Sequence, residues 1–326
     1  MSKLQRKPFD FIGKRFVFLG IAGAVMLIGV VFNIIFGTQL DISFKGGTIF
    51  TYSYEGEIST DDVRVVAQET LSKDVTVALS SDLTGSSKQI TISLSDKETV
   101  STEDQTKLNN TIAERFADNK VVSLQSNSVK PSVGSGFFIK CLFAVVLGAI
   151  FVTIYVGVRF RKIGGLSAGV FATLALLHDV LIAYFVYVIF RIPLDGNFIA
   201  VILTLVGYSL NGTIVIYDRI RENERLHGRT QGLDEVVNMS VNQTVMRNVI
   251  TTLSTFCAVV TLCVVAAISG LESILSFAFP MSVGILAGCY SSVLLSSPLW
   301  ALWREKKAQR MAKKEAAQRG SKKRKY

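Results

Sequence analysis

The chain has 326 residues, of which 49% are hydrophobic and 18% charged, and its mean hydropathy is +0.42. That hydropathy is too high for an ordinary soluble domain, so the composition excludes that class and indicates a protein that crosses a membrane several times. The formal net charge of +10 arises almost entirely in the tail after Trp303, which carries 11 Lys and Arg against two Glu.

Six apolar runs are long enough to cross a bilayer, which takes about 18 or more residues for about 30 Å of hydrocarbon. The sequence therefore predicts a multispanning helical protein. The predicted transmembrane helices are 16–36, then five more within 137–303, near 137–158, 164–190, 197–217, 249–268 and 274–303. One span thus precedes the polar segment 37–136 and five follow it, a 1+5 arrangement. The first run is too long for a signal peptide, so we expect it to be a retained anchor.

Lys and Arg near the ends of spans indicate which side faces the cytoplasm. The N-terminal segment 1–15, the RFRK motif at 159–162, the segment 218–247 and the tail 304–326 are all basic, and their positions alternate correctly with six spans. We therefore predict that both termini are cytoplasmic. The segment 37–136 then lies outside the cytoplasm.

The external segment alternates between strand-like and helix-like patterns. Strand patterns occur in GTIFTYSY, VTVALSS, KQITISLS and KVVSLQSNSV, and a hairpin turn is predicted at DLTGSS. Helices with Ser or Thr caps and acidic first turns are predicted in STDDVRVVAQETL and STEDQTKLNNTIAERF. The order β-α-β-β-α-β predicts a ferredoxin-like α+β domain, in which two helices cover one face of a four-stranded antiparallel sheet.

The segment 218–247 is too polar to cross a bilayer but contains an apolar stripe at helical spacing. The stripe consists of Leu233, Val236, Val237, Val241 and Val245. It predicts an amphipathic helix that lies along the cytoplasmic membrane surface before the fifth span. Packing of the stripe against neighbouring parts of the protein is an equally open interpretation.

The run TLALLHDVLIAYF places His178 and Asp179 near the middle of the third predicted span. A charged group in a bilayer is costly unless it faces a protein interior or water, so ionisable residues within spans are candidates for function. Their partners are expected in the fourth span, where hydrogen-bonding side chains cluster within two turns. These are Tyr208, Ser209, Asn211 and Thr213.

The predicted polar seam has two interpretations. It is either a hydrogen-bonded network that only holds helices together, or a water-accessible path for protons or ions, since His and Asp titrate near neutral pH in a modest field. No nucleophile, metal cage or phosphate-binding loop accompanies it. We therefore expect no enzyme activity, no cofactor and no metal site.

Charged residues also mark the predicted end of the fourth span. Asp218, Arg219 and Arg221 are interpreted as boundary charges at the cytoplasmic surface. Arg247, before the fifth span, is either another boundary charge or a counter-ion that reaches inward to a carboxylate.

The basic tail is predicted to enforce topology and to contact anionic lipid, at about 1 kcal/mol per basic residue near the surface. Its last residues, SKKRKY, also resemble a nucleic-acid patch, so contact with cytosolic RNA or a ribosome is the alternative. No specific nucleic acid is expected as a partner.

Six motifs distributed along the chain form a specific combination. The motifs are FKGGT at 44–48, VKPSVGSG at 129–136, LLHDVLIA at 176–183, VGYSLNGTIVIYDRIREN at 206–223, SVNQTVMRNVITT at 240–252 and GILAGCYSSVLLSSPL at 284–299. Together they resemble the SecF family, the smaller subunit of the bacterial SecD and SecF complex in the resistance-nodulation-division superfamily. The resemblance extends over essentially the whole chain except the tail.

This resemblance implies an integral subunit of the bacterial plasma membrane that pairs with SecD and associates with the SecYEG channel, in an assembly with SecA and YidC. It implies use of the proton- or sodium-motive force to help pull preproteins outward, while SecA hydrolyses ATP. It also implies that the external domain contacts the translocating preprotein and that the transmembrane seam is the ion pathway.

The chain departs from the family pattern at two places. The family's turn after the first span reads Gly-Ile-Asp-Phe before two glycines, whereas Asp41 and Ser43 stand here at the glycine and aspartate positions. The two glycines, Gly46 and Gly47, are kept, and we expect a tight turn that opens the first strand.

The second departure concerns the ion relay, because the family's fourth-span pattern ends Ser-Ile-Asn-Asp and this chain has Gly212 at the aspartate position. A glycine cannot bind a proton. The relay would then depend on Asp179, on a carboxylate of SecD, or on a sodium site of oxygen ligands from Asn211, Ser209 and Thr213. The role of Arg247, which matches the family's arginine, depends on the same question.

Two other functions compete with the one that the resemblance implies. An exporter of lipid or small hydrophobic molecules from the same superfamily would need two such halves and larger external domains, which this length excludes. A passive scaffold that holds SecD and the channel together is the other competitor, and Gly212 favours it.

Overall fold

The computed structural model describes residues 8–81, 88–94, 100–129 and 131–323. The predicted hairpin turn DLTGSS lies at 82–87, outside the described residues, as do the first seven residues and the last three of the tail. Within the described chain, six helical runs are long and apolar enough to cross a membrane, which is the number predicted from sequence.

The six long helical runs differ in how much of their apolar surface is buried inside the protein. They are α1 (Arg15–Phe36), α5 (Pro131–Arg159), α6 (Gly165–Ile189), α7 (Gly196–His227), α8 (Leu233–Ile268), and α9 (Glu272–Ser291), which continues through a π-helical turn at Ser292–Ser296 into α10 (Ser297–Lys323). More than half of the apolar stretch is buried in α6 and in the α9–α10 run, but only about a tenth in α1 and α8. The helices α6 and α9 are therefore the centre of the bundle.

The predicted surface helix within 218–247 is wrong as a separate element. The fourth helical run continues to His227, and α8 begins at Leu233 and runs on without a break to Ile268. Val237 and Val241 of the apolar stripe are fully buried. The stripe packs into a core cluster with residues of α7 and with the segment before α1, so protein surface covers it instead of lipid.

The sheet domain consists of β1 (Gly47–Tyr54), β2 (Thr76–Ser81), β3 (Lys88–Leu94) and β4 (Val122–Val129), with α3 (Thr60–Leu71) and α4 (Thr102–Arg115) between strands. The strand order is β2-β3-β1-β4, and all neighbouring strands are antiparallel. Alternating residues of the strands, such as Phe50 and Ile92, meet Val63 of α3 and Leu108 of α4 in one core. Both helices therefore cover the same face of the sheet, and the element order is the one predicted.

The helix α4 offers a matched test of capping. Ser101 accepts a hydrogen bond from the backbone N–H of Asp104 (3.1 Å), whereas Ser59, which precedes α3, makes no capping bond. Ser101→Ala is expected to cost about 1 kcal/mol of local stability, a roughly five-fold rise in opening of α4. Hydrogen exchange of the helix amides in the full chain measures this. Equal loss of protection in α3 with Ser59→Ala would contradict the assignment.

A short linker ties the sheet domain to the bundle. The linker contains α2 (Ile42–Lys45), and the backbone around Leu40 pairs with Leu194, in the loop between α6 and α7. Phe44 is 2% exposed and packs on Phe138 of α5. The glycines of the predicted turn lie directly after α2. Gly46 and Gly47 have φ of +81° and +138°, in the region that favours glycine.

The loop that pairs with this linker also contains the residue that caps α7. Asp195 caps α7 by accepting hydrogen bonds from the backbone N–H groups of Asn197 (2.9 Å) and Phe198 (3.2 Å). Burial, and more weakly the charge of Asp41, raises the pKa of Asp195. The linker before β1 and the α6–α7 connection thus pack against each other.

At the opposite end of the bundle, the segment before α1 is clasped by α8. The backbone N–H groups of Phe9 and Phe11 donate to the side-chain oxygens of Asn242 (2.9 Å) and Asn238 (2.8 Å). Asn242 also donates to the carbonyl of Phe9 (2.8 Å). The side chains of α8 thus bind the backbone of this segment and hold it along the helix.

The helices α5 and α6 approach each other at small residues. A Cβ built on Gly165 would lie 2.0 Å from the carbonyl oxygen of Gly157, and one on Gly169 would lie 2.7 Å from that of Thr153. Only glycine leaves room for the two backbones at these positions. Small residues at such contacts are typical of helices packed in a membrane.

Candidate functional site

The carboxylate of Asp179 lies at the centre of the bundle, where α6, α7 and α9 meet. Asp179 is fully buried. Its Oδ2 accepts hydrogen bonds from the hydroxyls of Ser209 (2.6 Å) and Ser291 (2.7 Å), and its Oδ1 lies 3.0 Å from Nδ1 of His178. A buried carboxylate is costly unless such partners satisfy it, so these groups form one site.

The helix α9 brings Ser291 to Asp179 because two local features allow a close approach. Gly288 sits one turn earlier, where a Cβ would lie 3.1 Å from the Cβ of Ser209 and 3.6 Å from Oδ2 of Asp179. The π-helical turn Ser292–Ser296 follows directly and inserts one extra residue into the helical path. Ser291 and Ser292 therefore both face the polar interior.

Replacement of Gly288 by alanine is expected to lower the melting temperature of the chain. The added methyl would lie 3.1 Å from the Cβ of Ser209, so α7 or α9 must shift by a few tenths of an ångström beside the carboxylate, and we expect a cost of about 1–3 kcal/mol. Gly207 of α7 is the matched control, since nothing lies within 4 Å of its Cβ position. In thermal unfolding in detergent, the melting temperature of Gly207→Ala should equal or slightly exceed that of wild type. Equal losses of melting temperature in both variants would refute the packing role of Gly288.

The polar contacts continue along α7 from Ser209 away from the sheet domain. Ser292 donates to the carbonyl of Ser209 (3.1 Å), and Thr213 donates to the hydroxyl of Ser292 (3.0 Å). Two turns after Ser209, the hydroxyl of Tyr217 lies 3.0 Å from that of Ser296. Hydroxyl groups of α7 and of the π-helical turn thus form a buried line.

A cavity of about 170 Å³ adjoins this line on the side of α8. Tyr208, Asn211, Gly212 and Arg247 border it. The Tyr208 hydroxyl is buried without a partner among the described residues, and Arg247 forms no ion pair with any of them. A Cβ at Gly212 would lie 3.1 Å from the hydroxyl of Ser292, so a side chain at this position would enter the polar line.

His178 connects the site to α1. Its ring stacks on that of Tyr290, with centroids 6.2 Å apart, and the Tyr290 hydroxyl donates to the carbonyl of Phe18 (2.6 Å). The side chain of His178 is 13% exposed, whereas that of Asp179 is 1% exposed. The imidazole is thus the more accessible member of the pair.

The predicted boundary residues form an ion-pair cluster at the end of the bundle remote from the sheet domain. Asp218 pairs with Arg159 (3.2 Å) and Arg221 (2.6 Å), and Arg219 pairs with Glu222 (2.6 Å). Each of these side chains is partly exposed. The cluster joins α5 to α7 and is separate from Asp179.

The structure therefore brings together only part of the residue set predicted from sequence. His178, Asp179 and Ser209 form the site, Thr213 belongs to its hydroxyl line, and Tyr208, Asn211 and Arg247 line the adjoining cavity. Sequence reasoning missed Ser291, Ser292 and Gly288. Their signal is present in GCYSS, but glycine and serine are common in spans because small residues let helices pack closely, so this motif does not by itself indicate a polar site.

The chemistry available here is a change of charge or of hydrogen bonding at one carboxylate. Within the described residues, no group of three His, Cys, Asp or Glu side chains is placed to hold a metal ion. Asp179 with two hydroxyl oxygens offers oxygen atoms that could face a proton or a hard cation. Loss or gain of charge there would change the bonds that join three helices.

Comparison with protein families places residues 109–306 in the family described as protein export membrane protein SecD/SecF, C-terminal. The protein translocase subunit SecF of Petrotoga mobilis is 33% identical over 294 residues, 89% of this chain and 94% of its own. That of Acidaminococcus fermentans is 32% identical over 92% of this chain and 99% of its own.

Fused relatives match over a smaller share of their own length. The protein translocase subunit SecDF of Bacillus subtilis is 31% identical over 96% of this chain, which spans 40% of that protein. The crystal structure of SecDF from Thermus thermophilus, described as a translocon-associated membrane protein, superposes with a TM-score of 0.78 at 27% identity. It covers 94% of this chain and 40% of that one.

Proposed function

Because the chain belongs to the SecD/SecF family of protein export membrane proteins, we propose that it is the SecF-type accessory subunit of a Sec protein translocase. It assists the export of preproteins across the bacterial plasma membrane, together with SecD and the SecYEG channel, SecA and YidC. Export is coupled to a proton or sodium gradient, and the chain itself performs no enzymatic reaction.

One observation carries this proposal, namely the match to separate SecF subunits over nearly their whole length. The chain spans 94% of one SecF and 99% of another, and 40% of a fused SecDF. The fused SecDF relative implies an association of this region with SecD, which we propose as the partner of this chain. The poorly buried apolar faces of α1, α5 and α8 leave ample surface for that partner.

The proposed orientation follows from charge. The basic residues at the end of α5, the ion-pair cluster around Asp218 and the basic tail all lie at one end of the bundle, which we assign to the cytoplasm. Both termini are then cytoplasmic. The sheet domain faces the opposite side, where it meets the emerging preprotein.

The proposed mechanism uses Asp179 as the ion-responsive group. Neutralisation of the carboxylate weakens its bonds to Ser209 and Ser291, which biases the bundle between two arrangements of α6, α7 and α9. The linker at Leu40 pairs with the α6–α7 loop, so a shift of these helices moves the sheet domain. Motion outside thereby follows protonation, or cation binding, inside the membrane.

The role of a non-conducting scaffold for SecD is the second candidate. Gly212 stands where the family has a carboxylate, and Arg247 beside it forms no ion pair among the described residues. In that case the ion path belongs to SecD, and the buried bonds of Asp179 only hold the bundle together.

Preprotein export into inside-out vesicles tests the proposed function. Vesicles contain the translocon and SecD, with or without this chain, and receive an imposed proton gradient, a sodium gradient or none. We expect the chain to raise export under one of the two gradients. Equal export with and without the chain under every condition would refute the proposed function.

A further inference from the structure

A large apolar groove lies at the tail end of the bundle, between the ends of α5 and α6 and the start of α10. Its volume is about 1070 Å³, at the upper limit of the roughly 300–1,000 Å³ of ordinary small-molecule clefts. We propose that this groove is a binding site for one anionic phospholipid, with the phosphodiester at Arg161 and Lys307 and the acyl chains along α5 and α6.

The deeper part of the groove fits an acyl chain. Ile154 and Val158 of α5 and Val170 of α6 line it, and each of these side chains is about half exposed. Val158 lies one residue inside the helix end at Arg159, and Ile154 and Val170 lie five residues inside the ends at Arg159 and Gly165, which is roughly 7–8 Å at 1.5 Å per residue. The groove is thus open to lipid along its length.

The shallow part of the groove is basic. Arg161, Arg304 and Lys307 line it, but Arg304 is already paired with Glu224 through two hydrogen bonds. Arg161 and Lys307 are exposed and form no ion pair with another described residue. Two cations therefore stand uncompensated at one mouth of an apolar groove.

Two further features at this mouth suit a phosphodiester group. Gly165 and Leu166 begin α6, so their backbone N–H groups have no acceptor within the helix and favour an anion. Trp303, which is 39% exposed, lies under the ammonium group of Lys307, with the nitrogen 4.9 Å from the ring centroid. Aromatic side chains of this kind are typical of the headgroup level of a membrane.

The two uncompensated cations and the apolar depth of the groove together indicate which kind of molecule binds there. A peptide or a second protein helix would cover the apolar part but would leave the two cations and the helix start without a counter-ion. A free phosphate would satisfy the cations but would leave the apolar walls empty. An anionic phospholipid satisfies both parts, and with both termini in the cytoplasm it belongs to the cytoplasmic leaflet.

Native mass spectrometry of the purified full chain, titrated with phosphatidylglycerol or phosphatidylcholine, tests this inference. We expect one phosphatidylglycerol to be retained in preference to phosphatidylcholine. The double variant Arg161→Gln/Lys307→Gln should weaken phosphatidylglycerol binding about thirty-fold, which corresponds to about 1 kcal/mol for each basic residue. Binding is measured without any export activity, so failure of the proposed function would leave this result unaffected.

Lys313→Gln/Lys314→Gln is the matched control, because it removes two charges from the same helix outside the groove. It should change binding by no more than about three-fold, as expected for distant screened charges. A second pair tests the apolar wall: Val158→Trp fills the groove and should reduce retention, whereas Phe151→Trp, exposed on the same helix outside the groove, should not.

Three results would overturn the inference. Equal binding of phosphatidylcholine and phosphatidylglycerol would remove the role of the two cations. An equal loss in the Lys313/Lys314 control would indicate general attraction to the tail. Displacement of the lipid by inorganic phosphate at equal concentration would identify a free-anion site instead.

Discussion

Asp179→Asn is expected to abolish the gain in preprotein export that an ion gradient gives, while the protein complex stays intact. Asparagine has nearly the same shape and still bonds to Ser209 and Ser291, but it cannot gain or lose a charge. Export under a gradient should therefore fall to the level measured without one. The assay is preprotein export into inside-out vesicles at equal abundance of the complex.

Asp195→Asn is the control for this variant. It makes the same chemical change at the start of α7, where asparagine also caps a helix, so the gradient-dependent gain should persist. If Asp179→Asn and His178→Ala both match wild type under every gradient, the scaffold role is correct and coupling belongs to SecD. A variant that loses export equally with and without a gradient would indicate structural damage. A melting temperature below that of wild type would identify such damage.

Gly165→Val is expected to destabilise the bundle more than Gly288→Ala does. The new side chain would overlap the carbonyl of Gly157, a backbone atom that cannot rotate away, so α5 and α6 must separate. The cost should reach or exceed the upper end of the usual 1–3 kcal/mol for overpacking. Thermal unfolding in detergent and the yield of monodisperse protein measure it.

Gly148→Val provides the comparison within the same helix pair. Nothing lies within 4 Å of the Cβ position of Gly148 on α5, so valine there faces open space. Its melting temperature should stay close to that of wild type. Similar behaviour of both variants would mean that the close approach of α5 and α6 is not needed for stability.

The sequence predicts the long helices well because a span of apolar residues has few structural alternatives. The sequence predicts least about the segment 218–247, where the apolar stripe of Val237 and Val241 fits a lipid surface and a protein surface equally well. Only the packing of α8 against α7 decides between them. Periodicity contains no information about which apolar surface covers a stripe.

The candidate site was half predictable for a similar reason. His178 and Asp179 stand out because charge is rare in a span, and Ser209 follows as a nearby donor. Ser291 does not stand out, because serine is common where helices pack closely. Its contact with Asp179 depends on the close approach of α7 at Gly288 and on the π-helical turn, and both of these are seen only once the helices are packed.

The clasp between the segment before α1 and α8 sets an order for biogenesis. Asn238 and Asn242 are synthesised more than 220 residues after Phe11 and Phe9, with sequence separations of 227 and 233. At about 5–20 residues per second, the first span must wait roughly 10–50 s before its clasp exists. Closure of the bundle is therefore a late event in membrane insertion, and until then the leading segment remains available to the factors that insert the chain.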